Sequence, residues 1–186
     1  MSQTQGKNYK KAVQAYARDL NNTAKRVLGR RKIGKNKTYG EASGKLRKSL
    51  TYKVKGSEII FESNQRSANF IYWGVNGTER NYDSPFSYKS NQPPIDPIVK
   101  WMRVKPVRLR DPETGSFIKQ TESGLRSAAY FIAKAIKEKG IPSLKYYDLA
   151  FNETINKWKP KLEEAMLLDW YDEINKQLKD NDIETE

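Results

Sequence analysis

Apolar side chains recur every three or four positions in several stretches of the chain, and this spacing is typical of amphipathic helices. The helices that it predicts cover residues 8–28, 94–102, 121–140 and 144–178, with a shorter one near 46–50. Gly29 and Gly140 mark the ends of two of them, as expected at helix C-termini, where glycine is favoured. Pro160 lies inside the last stretch, and because proline has no backbone N–H, we expect it to kink or split that helix.

A different spacing follows the first long helix. Tyr52 and Val54 alternate with polar residues, Gly56 lies in a turn-forming triplet, and the apolar run 59–61 comes next. This pattern predicts a β-hairpin with its tip near Gly56. We therefore expect an α+β fold, in which a small antiparallel sheet is packed by an N-terminal helix and a central helix, with a long C-terminal helical extension. One domain should span residues 1–186, with its core at about 8–160 and a frayed acidic tail in the extension, 161–186.

Three further segments have a distinct composition. Residues 67–75 are mostly apolar and aromatic and should form a buried short helix or strand. Residues 76–94 are rich in Asn, Ser, Gly and Pro and include three aromatic residues. Loops of this length are usually functional or disordered, so we expect this one to order against a partner. Residues 107–118 contain an Asp-Pro-Glu-Thr-Gly turn between apolar residues, which predicts a second, exposed hairpin.

Charge is distributed unevenly along the chain. Residues 1–60 hold 16 basic and 3 acidic residues, whereas residues 141–186 hold 6 basic and 11 acidic ones. The net charge of the whole chain is +13, which equals the excess of the first third alone. Such a layout suits an acidic partner, either nucleic acid or the acidic end of another copy. A surface that serves only solubility is the alternative.

The residue types exclude most common catalytic chemistry. The sequence has no cysteine and no histidine, so disulfides, cysteine nucleophiles and every triad or metal site that needs an imidazole are excluded. The acidic residues between Glu163 and Glu173 are interpreted as a solvated helix face. We expect no enzymatic activity, no cofactor and no metal, with a magnesium-dependent nuclease as the weakest alternative. The absence of a signal peptide and of a long apolar run predicts a cytoplasmic protein without membrane contact.

Five cations follow the first predicted helix within eight residues. They are Arg30, Arg31, Lys32, Lys35 and Lys37. With a glycine and no acidic neighbour among them, they should form a mobile loop. The loop is either a solvated connector or a contact for DNA or a protein partner, since clustered cations release counterions from nucleic acid of any sequence.

Several short motifs resemble those of the tail-completion, or neck, proteins of tailed bacteriophages. The Gly-x-Leu-Arg-x-Ser-Leu segment at 44–50 resembles the one that precedes that family's sheet. The segment 68–74 is similar to a Tyr-Ala-x-x-x-x-x-Gly segment, and 98–102 and 128–142 resemble a run common in phage tail components. The candidate ring-interface or family-motif positions are Gly44, Leu46, Ser49, Leu50, Ala68, Tyr72, Gly74, Trp101, Ile132, Gly140 and Pro142.

The resemblance implies a structural virion protein of the phage neck. Such a protein forms a ring of six or twelve copies and joins the portal or adaptor to the tail around the DNA channel. Its partners are further copies, portal or adaptor proteins, tail proteins and, without sequence preference, the DNA in the channel. It is located in the virion neck, and in the host cytoplasm during assembly. The Lys- and Asn-rich composition suits a crAss-like short-tailed phage.

The uneven charge of the chain is also compatible with a ring. The basic end of one subunit can bind the acidic end of the next, and such head-to-tail contacts form a closed ring when the rotation between neighbouring subunits permits. The alternative function is a free, nonspecific nucleic-acid-binding protein that acts through its basic N-terminal third.

Overall fold

The computed structural model describes the chain at residues 6–30, 32–33, 38–39, 43–104, 108–110, 114–117 and 119–182. The elements of this part of the chain are, in order, α1 Lys7–Arg30, β1 Lys32–Ile33, β2 Thr38–Tyr39, α2 Lys45–Ser49, β3 Thr51–Lys55, β4 Glu58–Glu62, α3 Ser67–Trp73, α4 Ile95–Val104, α5 Glu122–Lys139 and α6 Tyr146–Asp182. Strand β1 pairs with β2, and β3 with β4, both antiparallel. The predicted α+β fold, with a small antiparallel sheet, an N-terminal helix and a long C-terminal helix, is confirmed.

The chain divides into two compact units. The first consists of Met1–Val27, Leu50–Ser63 and Tyr146–Glu186, and the second of Leu28–Ser49 and Asn64–Lys145. Helix α6 and the β3–β4 hairpin therefore belong to the first unit, together with most of α1. Helices α2 to α5 belong to the second.

Helices α1 and α6 run antiparallel in the first unit. Near the start of α1, the backbone N–H of Asn8 donates to Asp169 of α6 at 2.8 Å. Further along α1, Asp19 accepts a hydrogen bond from Trp158 at 2.6 Å. Later residues of α1 therefore contact earlier residues of α6, which makes the two helices antiparallel. The apolar face of α1 is buried, as its spacing predicts.

The β3–β4 hairpin packs beside this helix pair. Its register pairs Lys55 with Glu58 around a turn at Gly56, so the predicted tip is confirmed. The ring of Phe61 stacks on Tyr147 of α6 with centroids 4.2 Å apart. The buried side chain of Asn21 donates to the Leu50 carbonyl just before β3, which joins the hairpin to α1.

Pro160 does not divide α6, which continues from residue 146 to 182. Of the two expected effects of Pro160, a kink or a split, the split is therefore excluded. Proline leaves the carbonyl four residues earlier, that of Asn156, without its helical donor. Both Asn156 and Pro160 are exposed, so water can bond to that carbonyl and the helix can continue.

A small apolar core lies between α4 and α5 in the second unit. It is formed by Val99, Met102, Leu109, Leu125 and Ala129, which are all buried. Helix α5 begins at Thr121, whose side chain accepts a hydrogen bond from the backbone N–H of residue 124, and it ends at Gly140. Both ends agree with the prediction from the sequence.

Residues 67–75 are only partly buried, contrary to the prediction. They form helix α3 and one bridging residue, Val75. Ala68 and Val75 are buried, but Phe70 and Trp73 are 38% and 43% exposed. A helix of seven residues on the surface of a unit can bury one face only, so the remaining aromatic groups face outward.

The loop that follows α3 makes a network of hydrogen bonds within the chain, and its expected contact with a partner stays a prediction. The side chain of Asn76 accepts hydrogen bonds from the backbone N–H groups of Tyr82 and Ser84 and donates to the Ser84 carbonyl. Its own backbone bonds to Phe86 and Tyr88. An asparagine amide can replace backbone partners in this way, and no periodic pattern reveals it.

The predicted second hairpin is described only in part. Arg110 and Phe117 form an isolated antiparallel bridge, while residues 111–113 and 118 lie outside the described residues.

Candidate interaction surfaces

Helix α1 carries a row of cations beside its buried stripe. Lys7, Lys10, Lys11, Arg18 and Lys25 recur at spacings that place them on one side of a helix, about 27 Å long at 1.5 Å per residue. We call this row the α1 cationic face. Lys25 is half-buried and the other four residues are exposed. The amphipathic pattern itself creates this face, because the apolar stripe turned inward leaves the lysines outside.

The one acidic residue of α1, Asp19, lies off this face and is neutralised within the chain. Its carboxylate accepts hydrogen bonds from Trp158 Nε1 at 2.6 Å and from Lys157 Nζ at 3.3 Å. The hydrogen bond from Trp158 is the main reason why the pKa of Asp19 is below its ordinary value, and burial opposes it. Asp19 therefore does little to offset the charge of the α1 cationic face.

The cation cluster predicted to bind DNA or a partner is described only at its edges. Arg30 ends α1 and Lys32 lies in β1, but their side chains are not among the described ones, and Arg31, Lys35 and Lys37 lie outside the described residues. The described residues of this segment are not all irregular, because Lys32 and Ile33 of β1 pair with β2. Its role in binding DNA or a partner stays a prediction.

Most motif residues between positions 44 and 68 contribute to packing. Leu46, Leu50 and Ala68 are buried, and the Ser49 hydroxyl donates to the Leu46 carbonyl at 2.8 Å. The carbonyl of Gly44 accepts the first backbone hydrogen bond of α2, from residue 48. These residues pack in the interior or form hydrogen bonds at the ends of α2, and they are not part of an exposed surface.

The structure brings together motif residues that are far apart in the sequence. Val75 and Ile141 exchange two backbone hydrogen bonds of 2.8 Å each, so the segments around Gly74 and Gly140 cross closely. Both glycines have positive φ, +75° and +66°, and a Cβ at either would contact the backbone of the other segment. We call this contact the Gly74–Gly140 crossing.

The remaining motif residues flank this crossing or line the core of the second unit. The backbone of Tyr72 accepts a hydrogen bond from Lys145, and Pro142 follows Ile141 directly. Ile132 packs against the α4–α5 core. Trp101 is the one motif residue that is exposed, so among them it is best placed to contact another protein.

The C-terminal half of α6 has a second apolar side, which was not predicted from the sequence. Leu167, Trp170, Tyr171, Ile174 and Leu178 lie within about 100° of one another on a helix, opposite Ala165, which is buried. We call them the α6 outer face. The indole of Trp170 is 65% exposed. The apolar spacing is visible in the sequence, but spacing alone does not distinguish an exposed stripe from a buried one.

The nearby acidic residues are not all solvated, contrary to the prediction of a solvated helix face. Asp169 accepts hydrogen bonds from the backbone N–H groups of Asn8 at 2.8 Å and Tyr9 at 2.7 Å. It therefore caps the first turn of α1, where four N–H groups have no helical partner. Glu163 and Glu164 are exposed and lie one turn before Leu167.

A cavity of about 300 Å³ in the first unit is lined mainly by apolar groups, among them Leu20, Phe61 and Phe151. Tyr147 also lines it, and its hydroxyl lies 3.2 Å from Asn21 Oδ1 and donates to it. Burial raises the pKa of Tyr146 to about 12 and raises the pKa of Tyr147 as well. Both phenols stay protonated at neutral pH, so they act as packing and hydrogen-bonding groups.

Three observations bear on other kinds of site. Among the described residues, no group of three or more acidic side chains could hold a metal ion. Within the same part of the chain, no helix is long and apolar enough to cross a membrane. Comparison with protein-family models, curated proteins and solved structures finds no match to this chain.

Proposed function

We propose that this chain is a structural protein of the neck of a tailed bacteriophage. In this proposal, six or twelve copies form a ring between the portal or adaptor and the tail, around the channel through which DNA passes. The chain carries out no chemical reaction. It acts by binding further copies, the neighbouring neck proteins and the DNA backbone.

The observation that carries the proposal is the presence of two interaction surfaces of opposite charge on one unit. The α1 cationic face holds five cations without an acidic residue in the row. Residues 161–182 of α6 hold seven acidic and three basic residues beside the exposed α6 outer face. A subunit with this distribution attracts a copy of itself in a head-to-tail orientation, which is the geometry that closes into a ring.

The proposal is also supported by the motifs at residues 44–50, 68–74, 98–102 and 128–142, which resemble those of phage neck proteins. Two of these motifs meet at the Gly74–Gly140 crossing. Glycines at a close backbone approach are hard to replace, so such a pair suits a motif that recurs within a family.

Localisation of the chain in virus particles tests this proposal. Particles released by a host that carries the gene would be purified and labelled with gold-conjugated antibody against the chain. We expect label at the junction of head and tail. If particles with an intact junction of head and tail carry no label there, the proposal is refuted.

The second candidate function is nonspecific binding of free nucleic acid, and the α1 cationic face favours it. Cations about 27 Å apart at the ends of one helix can reach several phosphates of a duplex. The two candidates predict different consequences when these cations are lost. Replacement of Lys7, Lys11 and Arg18 by Gln should weaken duplex binding in both cases. A neck protein should in addition show weaker attraction between copies, whereas a free nucleic-acid-binding protein should not.

A further inference from the structure

The α6 outer face is an apolar surface without a partner among the described residues. Its five residues extend over twelve positions, about 17 Å of helix, and Trp170 and Tyr171 are 65% and 63% exposed. Single exposed apolar residues are ordinary, but a continuous patch that contains two large aromatic groups is typical of a protein interface.

The charge around this face indicates the character of its partner. Residues 161–182 have a net charge of −4, and Glu163 and Glu164 lie one turn before Leu167. A second copy of the same segment would repel it through net charge. A surface with an apolar centre and basic surroundings would be attracted.

Helix α5 in the second unit offers such a surface. Phe131 and Tyr130 are 65% and 48% exposed, and their ring centroids are 5.8 Å apart. Lys134 lies one turn after this pair and Arg126 one turn before it, both exposed. Arg126 forms an ion pair with Asp96 at 2.9 Å, so Lys134 supplies most of the positive charge of this surface. Helix α5 carries four basic and two acidic residues in all. We call Arg126, Tyr130, Phe131 and Lys134 the α5 aromatic patch.

A shallow cavity next to this patch is large enough to admit an aromatic side chain. It has a volume of about 400 Å³ and is lined by Tyr130, Pro93, Pro94 and the ion pair of Arg126 with Asp96, among others. Aromatic side chains that insert into a pocket are the usual anchors of protein interfaces. An indole such as that of Trp170 could occupy this cavity with its edge against the prolines.

We infer that the α6 outer face of one copy binds the α5 aromatic patch of a second copy. Because the two surfaces are different, each copy can bind one neighbour through α6 and another through α5. Such a contact is head-to-tail. The inference rests on the proposed function, because that function requires a contact of this type to close a ring. It names the residues of one such contact, with its acidic side on α6 and its basic side on α5. The charge of the α1 cationic face then adds a longer-range attraction between copies.

Two variants separate the two sides of the contact. Trp170→Ala removes the anchor of the α6 outer face, and Phe131→Ala removes the centre of the α5 aromatic patch. Each should weaken self-association of the full chain by about thirty-fold, as for the removal of an interface anchor. Both side chains are 65% exposed, so circular dichroism should show an unchanged fold. Trp73→Ala, which removes a tryptophan outside both surfaces, should associate like the wild type.

Mixing the two variants provides the decisive measurement. Each variant keeps one intact surface, so at a concentration where both are monomers alone, the mixture should form a complex of two copies and no larger one. Sedimentation velocity would measure this. A mixture that stays monomeric, a wild-type chain that stays monomeric at the highest concentration, or a wild-type dimer unaffected by Phe131→Ala would overturn the inference.

A charge exchange tests the assigned signs. Lys134→Glu in one copy and Glu164→Lys in the other should each weaken association, and together they should restore it at least in part. If the two substituted chains together associate no better than the sum of their separate losses predicts, Lys134 and Glu164 do not face each other in the contact. These results are independent of particle localisation: two-copy complexes with no label in particles would refute the proposed function only, and labelled particles with no complex would refute only this contact.

Discussion

Replacement of Gly140 by alanine should destabilise the second unit through two separate effects. The first is backbone strain. Gly140 has φ +66° and ψ −165°, a region that is almost restricted to glycine, and a side chain there costs about 1–3 kcal/mol. The second is contact, because the added Cβ would meet the carbonyl oxygen of Val75 and the backbone nitrogen of Gly77.

The contact can be relieved only if the two segments move apart. This would weaken the two hydrogen bonds between Val75 and Ile141, each 2.8 Å long and each contributing about 1 kcal/mol. Strain and contact together give a loss of about 3 kcal/mol. For a chain of this size, that lowers the melting temperature by about 6–12 °C. It is also a large part of the stability of an ordinary domain, which is about 5–15 kcal/mol.

Two other glycines allow the effects to be measured one at a time. Gly115 has φ +68° with nothing within 4 Å of its hypothetical Cβ, so Gly115→Ala should show strain alone, about 1 kcal/mol. Gly77→Ala should show contact alone, since its Cβ would meet the backbone of Glu138 and Gly140 and its φ lies outside the positive region. Urea unfolding followed by circular dichroism should therefore give losses in the order Gly140, Gly77, Gly115. If Gly140→Ala were as mild as Gly115→Ala, the Gly74–Gly140 crossing would be refuted.

Three further predictions concern the first unit. Asp169→Ala should lower the free energy of unfolding by about 1 kcal/mol, because the cap of α1 is lost, and an unchanged urea midpoint would contradict this. The hydrogen bond from Trp158 lowers the pKa of Asp19, so its stabilising contribution is complete above the ordinary carboxylate pKa and disappears as pH falls through the lowered one. The difference in urea midpoint between the wild type and Asp19→Asn should thus shrink from about pH 6 to about pH 3, and a constant difference would refute this assignment. Replacing Lys11 and Arg18 by Gln should reduce the slope of log affinity for duplex DNA against log salt by about 2, whereas an unchanged slope would place the phosphate contacts elsewhere.

The parts of the fold that depend on local chemistry were predictable from the sequence. Thr121 and Gly140 delimit α5 because a hydroxyl acceptor and a glycine satisfy helix ends within a few residues. The hairpin tip at Gly56 follows in the same way from a short turn between alternating residues. In both cases the interaction that decides the structure lies inside the segment itself.

Features that depend on distant parts of the chain were not predictable. The Gly74–Gly140 crossing joins residues 66 positions apart, and nothing in either segment indicates the other. The capping of α1 by Asp169 likewise needs two helices, so the acidic pattern around it predicts only a solvated carboxylate. Apolar periodicity also cannot tell a buried stripe from an exposed one, which is why the α6 outer face was not predictable as a surface.

The number of copies of this chain in a purified virus particle tests the central claim most directly. Quantitative mass spectrometry, calibrated against the portal protein of the same particles, would give this number. An assembly protein of the neck should be present at six or twelve copies per portal. Absence from the particles, or a number that varies between preparations as it does for adsorbed contaminants, would contradict the proposal that the chain functions as a part of the neck.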